Sequence, residues 1–117
     1  MNLSHYGQYL KERTNRGIVE SEDGFATFEY IEQDIVYIVD IFVVPEKRKL
    51  GAASRMADEI VEAAKKEGKK FLLGSVDATA KGAEKSIAVL EAYGMKPYKV
   101  ADPMIFYIKD IAEKEEV

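Results

Sequence analysis

The segment Ile35–Val44, IVYIVDIFVV, constrains this chain more than any other. Its β-branched and aromatic residues suit an extended strand, in which Ile35, Tyr37, Val39, Ile41 and Val43 alternate with Val36, Ile38, Asp40, Phe42 and Val44. Apolar side chains in both sets predict a strand covered on both faces. Asp40 interrupts the second set. A carboxylate among Val36, Ile38, Phe42 and Val44 has to be paired, hydrogen-bonded or open to a cleft, which makes Asp40 the first acidic residue to consider for a functional role. The alternative is a strand-end Asp that accepts backbone N–H bonds from a neighbouring loop.

The stretch Val43–Ser54 continues from this strand through Pro45 and a basic turn, Lys47, Arg48 and Lys49, to Gly51-Ala52-Ala53. Ala53, Met56, Ala57, Ile60, Val61 and Ala64 then recur at three and four, opposite Arg55, Asp58, Glu59, Glu62, Lys65 and Lys66, which predicts an amphipathic helix. Lys65 and Lys66 suit the negative end of its dipole, and Gly68 is placed to cap it. Phe71–Val76 reads as the next strand. A strand, helix and strand of these lengths predict a right-handed crossover with the two strands parallel. The helix start offers unpaired backbone N–H groups, little side-chain bulk and nearby cations, the ingredients of an anion site. The alternative is a tight strand-to-helix turn whose basic residues are simply solvated.

Around this unit, Leu3–Arg13 has a weak helical pattern with Ser4 as cap. Ile18–Glu20 and Phe25–Ile31 form a hairpin through Asp23-Gly24, and Glu32, Gln33 and Asp34 make the next turn. Ala83–Tyr93 forms a helix with Ala83, Ile87 and Leu90 on one stripe, stopped by Gly94. Met95–Val100 and Met104–Ile108 are two final strands around an Ala-Asp-Pro turn, and Ile111–Val117 is a charged tail. The expected architecture is mixed α/β: a central sheet with antiparallel N-terminal strands, one parallel βαβ crossover and a C-terminal hairpin, flanked by about three helices.

At 117 residues, 47% of them apolar, the chain fits one domain over 1–117. Its net charge of -4 argues against general nucleic-acid affinity. The absence of cysteine excludes disulfides and thiolate metal sites, and a single histidine, His5, argues against a histidine metal site. No run has the apolar length of a signal peptide or membrane span, so a cytoplasmic chain without membrane attachment is expected.

The element order resembles the GNAT superfamily of acyl-CoA-dependent N-acetyltransferases. Arg48-Lys49-Leu50-Gly51-Ala52-Ala53 is similar to that family's Arg/Gln-x-x-Gly-x-Gly/Ala loop, with Pro45 three residues before it. Asp40-Ile41-Phe42-Val43-Val44-Pro45 resembles its Asp-Leu-Phe-Val-x-Pro strand end, and Ser86–Met95 its helix ending in Gly-Phe, with Gly94-Met95 in that place. The likeness runs from about Ile18 to Ile108. It implies acetyl-CoA as cofactor, with the backbone of Phe42, Val43 and Val44 along the pantetheine arm. Arg48, Lys49, Leu50, Gly51, Ala52 and Ala53 would cradle the pyrophosphate, in agreement with the anion site read from the loop.

For chemistry, the resemblance makes Asp40 a candidate general base or amine-binding group. The tyrosine acid of the family falls at Leu90 and its frequent asparagine at Ala83, so both are missing. Ser86 or Tyr93, and also Tyr98 or Ser75, are substitute hydroxyl donors. The plainer readings are that Ser86 packs as a small residue and Tyr93 as a helix-end aromatic. Three functions stay open: acetyl transfer to a primary amine of a small molecule or protein, coenzyme A binding without turnover, and a protein–protein interaction domain that keeps only the fold. The acidic balance and Asp40 suit a cationic amine as substrate partner, and the exposed edges of the final hairpin suit a homodimer.

Overall fold

The computed structural model describes residues 4–112; Leu3 and the tail from residue 113 onward lie outside them. Helix α1 (His5–Thr14) begins where Ser4 Oγ accepts from the Gly7 N–H at 2.9 Å, the expected cap. The Glu20 carboxylate accepts in turn from Ser4 N at 3.1 Å and Ser4 Oγ at 2.5 Å, which ties the helix to strand β1 (Gly17–Ser21). A two-residue turn at Glu22-Asp23 leads into β2 (Gly24–Ile31), antiparallel to β1 and to β3 (Ile35–Val43).

A short 3-10 turn (Pro45–Lys47) precedes α2 (Ala52–Lys66), which crosses over to β4 (Phe71–Asp77), parallel to β3 as the spacing predicts. Helix α3 (Ala83–Ala92) and the hairpin of β5 (Lys96–Ala101) and β6 (Met104–Asp110) complete the chain. The six-stranded sheet has the order β1-β2-β3-β4-β6-β5, so the last strand inserts between β4 and β5. Among the described residues, no helix is long and apolar enough to cross a membrane.

The main core fills one face of the sheet. Met56, Ala57, Ile60, Val61 and Ala64 of α2 pack with Ala26 and Phe28 of β2, Val36 and Ile38 of β3, Leu72 of β4 and Tyr107 of β6. Removing these apolar groups from water supplies roughly 25 cal/mol per Å² of buried area, the leading favourable contribution in a domain without disulfides. The opposite face carries α1, where the Tyr6 ring meets Phe25 edge-on at 6.0 Å.

The structure corrects two expectations about β3. Its register with β2 slips: Thr27 lies opposite Asp40, but Phe28 lies opposite Ile38, which leaves Val39 as an extra residue in a β-bulge. The bulge reverses the alternation beyond it, because opposed residues of an antiparallel pair share a face. Ile41, opposite the core residue Ala26, therefore joins Val36 and Ile38, while Asp40 moves to the α1 face with Thr27, Tyr37 and Phe42. Asp40 is exposed there and does not interrupt the apolar set.

The second correction concerns coverage. Only the first half of β3 is buried, at Val36 and Ile38, whereas Ile41 and Phe42 are exposed. The reason is that β3 pairs with β4 over Ile35–Tyr37 alone, against Phe71–Leu73, and the two parallel strands part beyond that point. A wedge opens between them.

Candidate active site

The loop between β3 and α2 enters the helix through Gly51, at φ +84° and ψ 8°, a left-handed conformation that costs glycine little. Lys49 is also left-handed at φ +67°. No side chain caps α2, so its first N–H groups face outward behind a residue with no Cβ, the arrangement that accepts an anion. A Cβ on Gly51 would stand 3.2 Å from Arg55 Nη1. The loop is held from both ends: Arg55 donates to the Leu50 carbonyl at 2.9 Å and pairs with Asp23 at 3.3 Å. Arg48 Nε donates to the Val43 carbonyl at 2.9 Å, with its guanidinium 5.8 Å from the centre of the Phe42 ring.

Beside this helix start, on the core face of the wedge, lies an apolar slot. Ile38 and Ile41 of β3, Ala53 and Ala57 of α2, and Leu90 and Met95 are among its walls. The stripe of Ala83, Ile87 and Leu90 on α3 is half-buried: Ile87 and Leu90 pack against the core, and Leu90 also lines the slot.

The residues singled out in the sequence distribute as follows. Phe42 and Val43 lie at the end of β3, beside the wedge, and Gly51, Ala52 and Ala53 form the start of α2. Val44 lies past the strand end; its N–H is donated to the Asp23 carbonyl at 2.8 Å, and its carbonyl accepts from Lys47 N at 2.9 Å. Val44 is thus not a free edge for further strand-like pairing. Lys49 and Leu50 are exposed on the loop. Asp40 sits on the α1 face and accepts from Thr27 Oγ1 at 3.2 Å. Thr27 is itself buried, so this bond gives its hydroxyl a partner as well as steadying the carboxylate.

Of the substitute hydroxyls, Ser86 is exposed on α3 and outside the walls of the slot, and Tyr98 projects from the edge strand β5. Tyr93 does line the slot, but its hydroxyl donates to Asp58 Oδ1 at 2.6 Å and so joins α3 to α2. Burial, then the hydrogen bond to Asp58 and the charge of that carboxylate, raise the Tyr93 pKa well above the ordinary phenol value. Ser75, two residues beyond the last β3–β4 pair, meets Tyr37 across the wedge at 2.5 Å.

The raised Tyr93 pKa fixes the sign of a stability effect. A phenol that ionises less readily when folded contributes stability that is fully present below the unfolded pKa of about 10 and is lost as pH climbs through the folded value. Burial also raises the Tyr30 pKa, with the Glu67 charge adding to it, so both phenols act in the same direction. Stability should decline above about pH 10, and Tyr93→Phe should make that decline shallower. Urea unfolding at pH 8 and at pH 10.5 checks this; equal slopes for the two proteins would contradict it.

Residues 4–95 match the acetyltransferase (GNAT) family, and the chain belongs to that family. An acetyltransferase of the GNAT family from Desulfovibrio desulfuricans is similar over 90% of this chain and 76% of its own, with a TM-score of 0.74 at 15% identity. An aminoglycoside 6′-N-acetyltransferase complexed with coenzyme A is similar over 92% of this chain and 79% of its own, at TM-score 0.70 and 12% identity. The ribosomal-protein-S18-alanine N-acetyltransferase of Escherichia coli is similar over 99% and 82%, at TM-score 0.67 and 15% identity. At these identities what is shared is the fold. No curated protein sequence matches the chain.

Proposed function

We propose that this protein transfers an acetyl group from acetyl-CoA to a primary amine. The observation that carries this reading is the continuity of the loop, the slot and the wedge. An uncapped helix start behind left-handed Gly51 opens beside an apolar slot, and the slot leads to a parting of strands beyond Tyr37. Arg48 to Ala53 would hold the pyrophosphate through backbone N–H groups and the positive end of the helix dipole. Phe42 and Val43 would flank the pantetheine arm. Bound there, acetyl-CoA supplies an activated thioester, and much of the rate enhancement would come from holding it against the amine.

Asp40 would receive the amine, either as the base that takes its proton or as the carboxylate that orients it. With Asp40 on the α1 face, the acceptor would approach from the side of the sheet opposite α2 and α3. A second reading, a module that binds coenzyme A without turnover, is favoured by apolar Leu90 in the slot where the family's tyrosine would stand.

Calorimetric titration with acetyl-CoA and coenzyme A tests the donor site, and thiol release with phenethylamine, spermidine and alanine-initiated peptides tests transfer. Saturable binding with amine-dependent release is expected. Asp40→Asn should keep binding and lower turnover about 100-fold, within the range for loss of a general base. Folded protein that binds neither ligand would sink the proposal, and binding without release would leave the module reading.

A further inference from the structure

Tyr37 is the last residue of β3 to pair with β4, opposite Leu73, and its hydroxyl lies 2.5 Å from Ser75 Oγ, two residues further along β4. The bond spans the apex of the wedge where main-chain pairing has ended. Register places Tyr37 on the face that carries Asp40 and Thr27, whereas Ile38, Ile41 and Leu90 line the slot on the other face. The parting strands therefore connect an apolar slot to a polar patch that the donor site does not use. Tyr37 and Ser75 are both half-buried, and each hydroxyl can donate one proton while accepting another. A proton given up by one is replaced through its partner.

We infer that Tyr37 is the proton donor to the departing sulfur during acetyl transfer, positioned by Ser75, which passes on the replacement proton. This rests on the acetyl-transfer reading above. The slot side offers Tyr93, whose hydroxyl is committed to Asp58, and apolar Leu90; the hydroxyls that bridge the wedge are those of Tyr37 and Ser75. Strand rise places Asp40 about 10 Å along β3 from Tyr37, on the same face, which leaves room for an acceptor between them.

The step balances. The amine nitrogen bonds to the acetyl carbonyl carbon as the carbon–sulfur bond breaks, and the electron pair of that bond leaves with sulfur. Sulfur takes the Tyr37 proton, Tyr37 takes the Ser75 proton, and Ser75 recovers one from solvent. The proton shed by nitrogen passes to Asp40 or water and then to solvent, so one proton leaves and one enters. No further reactant is required.

Tyr37→Phe, Ser75→Ala and Ser75→Thr in the full chain, assayed with acetyl-CoA and the acceptors named above, test the inference. Tyr37→Phe should lower kcat about 100-fold or more, the range for loss of a positioned acid, and abolish the solvent deuterium effect on kcat. Acetyl-CoA affinity by calorimetry should stay within about two-fold, because the lost interaction acts only in the transition state. Ser75→Ala should fall about ten-fold in kcat, with Ser75→Thr recovering most of it. Unchanged kcat in Tyr37→Phe overturns the inference, as does a loss matched by weaker acetyl-CoA binding, which would make the pair a structural clasp. Native protein that binds acetyl-CoA but acetylates none of the acceptors overturns the proton-donor role alone. Native protein that does not bind acetyl-CoA removes the underlying reading as well.

Discussion

Gly51→Glu should weaken acetyl-CoA binding at least about 100-fold, or ~2.8 kcal/mol at 1.4 kcal/mol per tenfold change. Two effects act together. A non-glycine residue at φ +84° carries a left-handed penalty of about 1–2 kcal/mol, which favours rearrangement of the turn that presents the N–H groups. The new carboxylate would also stand at the positive end of the helix dipole, the place assigned to the pyrophosphate, and two anions cannot share those donors. Gly51→Ala separates the effects. Its Cβ would meet only Arg55 Nη1 at 3.2 Å, the far end of an exposed side chain that can move, so the alanine protein should lose stability but keep most of its affinity. Calorimetry on the pair, with circular dichroism to verify folding, decides it. Equal affinities for native protein and Gly51→Glu would remove the loop from the donor site.

Much of this arrangement is legible in the sequence because it is local. The three-to-four spacing of Ala53, Met56, Ala57, Ile60, Val61 and Ala64 marks α2, and all are buried except Ala53, which is half-buried in the wall of the slot. Gly51 marks the left-handed entry to the helix, and the lengths of β3, α2 and β4 imply their parallel pairing. The alternation misplaces Asp40 for an equally local reason. A period of two cannot register an inserted residue, and Val39 is as apolar as its neighbours, so the alternation reads straight through the bulge. Once the register slips, Ile41 falls to the core side and the carboxylate to the α1 side. The wedge was hidden because it is a property of two strands: nothing within Ile35–Val43 says that β4 follows it for only three residues. Tyr37 and Ser75 lie 38 positions apart, and only this shared apex brings their hydroxyls together. The available signal was Ser75 itself, a polar residue in the apolar run of β4.

Ile60→Ala is expected to remove a large part of the folding free energy. Ile60 is fully buried in the middle of α2, and its substitution by alanine strips three carbons from a site packed between helix and sheet. Such truncations cost about 2–5 kcal/mol, the spread reflecting how far the surroundings collapse into the cavity. Total stability for domains is about 5–15 kcal/mol, so roughly an eighth or more of the margin is at stake. Ile60→Val, which removes one methyl group, should cost about 0.5–1.5 kcal/mol and serves as the graded control. The functional consequence follows from α2 being both core helix and the helix proposed to hold the pyrophosphate. Its N-terminus is presented by packing two turns away, so Ile60→Ala should unfold more readily while binding acetyl-CoA almost as tightly as the native protein in its folded fraction. A ligand that binds only the folded state adds RT ln(1 + [L]/Kd), and equal affinities therefore predict equal gains in unfolding free energy for native and variant protein at one saturating concentration. Denaturant unfolding with and without acetyl-CoA measures both quantities. A loss below about 1 kcal/mol would mean that the sheet is closed elsewhere than at Ile60. A smaller ligand gain in the variant would mean that core packing and the geometry of the anion site are coupled along α2.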